Sequence, residues 1–164
     1  MRRTTVRFLA PFGAVVLFGA FVLSLLGPSA AQADPMTPFK ASYTSAITFT
    51  SPTTATLAGQ GNASHLGNTV TAGSLAQTGP GSCSGGFLAE IHDTLNAANG
   101  DTVGVTVDLQ ACPTAPGIYQ GTGTYVITGG TGQFAGASGS GAFSGLGDFN
   151  TGTVHCMLDG TISK

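Results

Sequence analysis

Between Phe39 and Thr50 the chain alternates without interruption: Phe39, Ala41, Tyr43, Ser45, Ile47 and Phe49 fall on one side, and Lys40, Ser42, Thr44, Ala46, Thr48 and Thr50 on the other. A period of two sends successive side chains to opposite faces of a strand and leaves no stripe for a helix to bury. The same pattern recurs to the end of the chain. Ser51-Pro52 reads as a turn, and Thr54 to Leu66 then sets Ala55, Leu57, Gly59, Gly61 and Ala63 on one side. A third strand is expected from Asn68 to Gln77, and Thr78-Gly79-Pro80-Gly81-Ser82 reads as a loop. Phe87 to Leu95 and Thr102 to Leu109 flank Asn99-Gly100, a dipeptide suited to tight hairpins, with Val103, Val105, Val107 and Leu109 on one face. Pro113 to Gly117 is a further loop and Tyr119 to Thr128 a further strand. Gly141 to Asp148 and Thr153 to Ile162, joined around Asn150-Thr151-Gly152, complete eight strands, and helical spacing is confined to one turn near Gln133.

Eight antiparallel strands with one apolar face each bury that face either by rolling into a closed up-and-down, calycin-like barrel or by stacking as a β-sandwich. Closure also removes the unpaired edges that Thr-rich strands would offer to other chains. A glycine-rich solenoid is a weaker third option, because no fixed repeat period is present. The stretch Thr128-Gly129-Gly130-Thr131-Gly132-Gln133-Phe134 tips the choice toward the barrel. Gly129, Gly130 and Gly132 permit positive φ and close backbone approach, so a strand can end sharply there while Phe134 turns onto the core as a plug.

Arg2, Arg3 and Arg7 precede an apolar run from Phe8 to Leu26, followed by Gly27-Pro28 and the small-residue sequence Ala31-Gln32-Ala33. This is the layout of a secretory signal peptide, residues 1–33, which leaves a domain of 34–164; an uncleaved membrane anchor is the alternative that the length of the run allows. Removing the leader removes all three arginines and leaves Lys40 and Lys164 against seven acidic residues, a net charge of minus five. Two lysines cannot neutralise a row of phosphates, so nucleic-acid binding has no electrostatic basis, and anionic membrane surfaces are disfavoured for the same reason. About 130 residues suffice for one domain with its own core.

Three cysteines in an exported chain suggest one bridge and one free thiol. In a simple meander Cys83 lies between strands three and four and Cys112 between five and six, two connections at the same end of the barrel. Cys156 lies on the apolar face of the last strand. The expected bridge is therefore Cys83 to Cys112.

Few side chains are left to carry chemistry. Glu90 and His92 share a strand face at i and i+2, close enough for acid–base work, but Phe87, Ala89, Ile91 and Leu95 oppose them, so the pair is expected on the outside. Asp93 has the parity of the apolar set and is the one carboxylate of that strand expected to point inward or to sit at a barrel mouth. Tyr43 and Tyr125 share faces with Phe39, Ile47 and Ile127, so their rings either line an apolar ligand cavity or simply fill the core. His65, in Ser64-His65-Leu66-Gly67, is a candidate ligand contact or a histidine bonded to backbone at a bulge. His65, His92 and His155 lack short ligand spacings, so no metal site is expected; no nucleophile elbow is present and no cofactor is implied.

The corner around Phe134 resembles the GGTG-x-F-x-G-A-x-G signature of the allene oxide cyclase and dirigent barrels, and more closely the small secreted bacterial proteins of that type. The Ser64-to-Gly67 step and Asn99-Gly100-Asp101 match less specifically. The resemblance implies a barrel, and for its plant members a ring closure steered in an apolar cavity with a carboxylate, or phenoxy radicals oriented by acidic and basic residues. It also implies a trimer packed through the outside of the barrel. This chain departs from both enzymes: its first strand has no cavity carboxylate and its mature part has no arginine. The expected function is a non-enzymatic secreted barrel, a small apolar-ligand carrier or cell-envelope module. The alternative is a cofactor-free cyclase or isomerase assisted by Asp93 or Glu90.

Overall fold

In the computed structural model, which describes residues 35–164, every strand expected from the alternation forms and turns its apolar parity inward. The signal peptide assigned to 1–33 lies outside the described residues. The strands are β1 (Thr37–Phe49), β2 (Thr54–Ala63), β3 (Gly67–Pro80), β4 (Phe87–Ala97), β5 (Thr102–Ala115), β6 (Ile118–Gly130), β7 (Ser138–Asp148) and β8 (Thr153–Ser163), with one 3-10 turn (Gly132–Phe134) between β6 and β7. Each strand pairs antiparallel with the next. β1 then pairs with β8, from Thr37 opposite Ile162 to Ala46 opposite Thr153, which closes the sheet into an up-and-down barrel and rules out the sandwich.

Several boundaries differ from the sequence reading, each for a local reason. β3 continues to Pro80, because a bulge between Gln77 and Gly79 lets the chain go on pairing with Leu88 and Phe87. β5 likewise runs past Leu109 to Ala115, so Cys112 lies within a strand and not in a connection. β2 ends at Ala63, which puts His65 in the β2–β3 turn with φ of 66°. β7 begins at Ser138, three residues before the expected start.

The interior is filled by pairing bulky side chains with inward glycines, on neighbouring strands or, for Phe143 and Gly145, within β7. Tyr125 is opposite Gly141, and a Cβ on nearby Gly160 would lie 2.7 Å from the Tyr125 hydroxyl. Likewise a Cβ on Gly145 would lie 2.9 Å from Cζ of Phe143, and one on Gly61 would overlap Cβ of Tyr43. These inward glycines are therefore space for aromatic rings rather than flexible points.

The two ends of the barrel differ. One end carries the β2–β3, β4–β5 and β6–β7 turns together with Thr37 and Ser163. Phe134 closes it as expected and is fully buried, with Leu66, Ala137 and Ile162 also buried at this end and Lys164 Nζ 5.1 Å from the ring centroid. Gly129 and Gly132 have φ of 128° and 60°, whereas Gly130 is there for contact, since a Cβ would lie 2.8 Å from that of Phe134. The other end carries the β1–β2, β3–β4, β5–β6 and β7–β8 connections. It also carries the disulfide, which joins Cys83 to Cys112 as the parity of the meander required, while Cys156 is free and buried. Outward positions of β1 are mostly polar and exposed, with Lys40, Ser42, Thr44, Ala46 and Thr48 facing out, and those of β6 are Gln120, Thr122, Thr124, Val126 and Thr128. Exposed Val70, Leu88, Val126, Leu146 and Met157 are scattered among these polar positions and form no continuous apolar band of the kind that girdles an outer-membrane barrel.

Candidate functional site

At the disulfide-bearing end the inward side chains stop short of filling the barrel. Leu57, Leu75, Ile91, Leu109 and Val154 line a cavity of about 50 Å³, with Gly121 and Phe143 on its wall. Cys156 lines it as well. Three half-buried rings, Phe87 from β4, Tyr119 from β6 and Phe149 from the β7–β8 turn, line it toward the end of the barrel. They hold one another: Tyr119 and Phe149 stack with centroids 4.9 Å apart, Phe87 is 5.4 Å from Tyr119, and Phe49 meets Phe149 edge-on at 5.2 Å. Pockets that enclose a whole drug-sized ligand run to roughly 300–1,000 Å³, so this one admits the end of a chain or a small group.

A polar layer lies deeper in the barrel and meets the lining of the cavity at Cys156. Asp93 points inward as its parity requires and is 3 % exposed. Its Oδ1 accepts a hydrogen bond from its neighbour Thr94 N–H at 2.9 Å, and its Oδ2 has no partner. Burial raises its pKa from 3.8 to about 6, against the lowering effect of that backbone donor and of the Tyr43 hydroxyl. Cys156 belongs to the same layer; burial and then the charge of Asp93 push its thiol up to about 12, so it is a neutral thiol and a poor nucleophile. Tyr43 is raised well above the ordinary 10, by burial and then by Cys156 and Asp93. Ser45 and Thr71 share a buried hydrogen bond of 3.1 Å, while the hydroxyls of Thr69 and Tyr125 are unpartnered.

No protein-family model, curated protein or solved structure matches the chain. Its chemistry rests on these residues. The cavity can hold apolar groups. The polar layer contains a protonatable carboxyl but no charged partner for it, and among the described residues no three of His, Cys, Asp and Glu are grouped as a metal ion would need.

The sequence-derived candidates scatter over the molecule. Tyr43 and Tyr125 are both in the core and neither lines the cavity. His65 is in a turn at the plugged end, where its Nε2 is 3.1 Å from the Pro38 carbonyl. Glu90 and His92 face outward as a contact pair, and His92 Nδ1 shares a hydrogen bond of 3.0 Å with the Thr106 hydroxyl. Asp93 and Tyr43 are the candidates brought together in the interior, beside Cys156. Sequence reasoning missed the aromatic rim and the Cys156 contact with the cavity. The available signal was the meander itself, in which Phe49, Phe87, Tyr119 and Phe149 all fall at strand ends on the disulfide side.

Proposed function

We propose that the chain is a secreted, non-enzymatic barrel of the allene oxide cyclase and dirigent type that holds the apolar end of a small molecule. The observation that carries the reading is the apolar cavity beneath Phe87, Tyr119 and Phe149, at the end of a barrel whose other end is plugged by Phe134. Secretion is supported by the Cys83–Cys112 bridge, which persists in oxidising compartments, and by the signal-like sequence of residues 1–33. A cyclase reading would need a carboxylate on the cavity wall. Asp93, the inward carboxylate, is not among the lining residues, so the carrier reading has the better support.

Titration with 1-octanol, followed by NMR shifts of the Leu57, Leu109 and Val154 methyl groups, tests the proposal. Saturable shifts confined to that set are expected. In Gly121→Leu the new side chain starts 3.4 Å from Leu109 and Phe143 atoms and extends into the cavity, so these shifts should vanish while the fold remains. Absence of saturable shifts in the wild type, or their survival in a folded Gly121→Leu variant, would overturn the reading.

A further inference from the structure

Resting on that reading of the cavity, we propose that its ligand is an amphiphile with a cationic head, the end of its alkyl tail inside the barrel and its head at the aromatic rim. The cavity wall is built mainly of hydrocarbon side chains; of its polar groups, Cys156 is a neutral thiol, His155 is bonded to the Thr44 hydroxyl and Tyr119 stands at the rim, so little inside replaces the water a polar head would lose. The head therefore remains at the rim, among the rings of Phe87, Tyr119 and Phe149, whose faces attract a cation.

Toward the rim the charged side chains among the described residues include carboxylates and no lysine. Asp148 ends β7 between Gly147 and Phe149, which line the cavity, while Glu90 and Asp108 pair across β4 and β5 on the outer face of the same half of the barrel. The cationic side chains among the described residues, Lys40 and Lys164, lie toward the plugged end. Lys40 is held 2.9 Å from Asp159, and Lys164 sits over the Phe134 ring. An anionic head would meet Asp148 with no lysine near, and the outward Glu90 and Asp108 add a weaker long-range field of the same sign, whereas a cationic head gains from both the rings and these carboxylates. His92 is already in contact with Glu90, and His155 shares a hydrogen bond of 2.8 Å with the Thr44 hydroxyl.

Octyltrimethylammonium, 1-octanol and octanoate have the same tail and differ in head charge. Each is titrated at pH 8 in about 10 mM salt, where the Debye length is roughly 30 Å, with the cavity methyl groups as the readout. The cation should bind tightest and the anion weakest, with roughly three- to ten-fold between successive members, and the spread should shrink at about 0.5 M salt. Asp108 is exposed and makes no side-chain hydrogen bond, so Glu90→Gln with Asp108→Asn should narrow the spread without unfolding the barrel. Equal binding of all three, or preference for octanoate, overturns the inference and leaves the apolar-end reading intact. Failure of all three to bind removes that reading as well.

Discussion

Asp93 holds its proton at a pH where an exposed aspartate has lost it. Its folded pKa of about 6 lies above the ordinary 3.8, so between those values the native state binds the proton and the unfolded chain does not. The stability contributed is therefore fully present below about pH 4 and is lost as pH rises through 6, a total of roughly 3 kcal/mol. Urea midpoints measured from pH 4 to 8 should fall across this window in the wild type and stay level in Asp93→Asn. A wild-type midpoint that rises instead would contradict the assignment. Asp148 works in the opposite sense and at lower pH: hydrogen bonds from the Asn150 and Thr151 backbone N–H groups lower its pKa, so its contribution is lost only on acidification below the ordinary carboxylate range. At the plugged end two glycines separate backbone strain from collision. Gly136 has φ of 79° and open space around its missing Cβ, so Gly136→Ala should cost only about 1 kcal/mol. Gly132 has φ of 60° and faces the Asp101 carboxylate, so Gly132→Ala should cost more, about 2–4 kcal/mol by thermal or urea unfolding.

The strands were legible because each carries its own alternation, and β1 shows this most fully, with Phe39 through Ile47 buried at every second position. The inward turn of Asp93 follows from the same parity in β4. What a single element does not reveal is a place assembled from several. The rim unites Phe87, Tyr119 and Phe149, residues separated by about thirty positions each, and their meeting depends on barrel closure and on the level at which the strands end. The extension of β3 through Pro80 was likewise hidden, because Thr78-Gly79-Pro80 has turn composition and becomes strand only by pairing with Leu88 and Phe87. The disulfide ties these elements at the rim. Its cysteines are 29 residues apart, so in the chain-entropy account replacing both with alanine should cost about 3–4 kcal/mol. Calorimetry on the double variant tests that figure. Because the 81–86 connection leads directly into Phe87, octanol shifts at the cavity should broaden in the same variant.

At the scale of the whole barrel, seven of the eight strand pairings are between chain neighbours and one is not. The β1–β8 seam joins residues more than a hundred positions apart, such as Tyr43 with Cys156, and it cannot form until the intervening meander has collapsed. Ile162 is fully buried at this seam, so Ile162→Val should chiefly speed unfolding and leave the folding rate nearly unchanged. Stopped-flow kinetics in urea should place the whole change on the unfolding arm; an equal loss on the folding arm would mean that the seam forms early. The seam also brings Thr37 beside Ile162 at the plugged end. Both barrel termini are thus on the side away from the rim, which makes the protein a natural candidate for circular permutation. A short linker joining Lys164 to Thr37 could replace the present break, and a new pair of ends could be cut in any of the other turns. Conversely, a dye, a bead or a fusion partner attached at Thr37 or Lys164 would leave the aromatic mouth unobstructed.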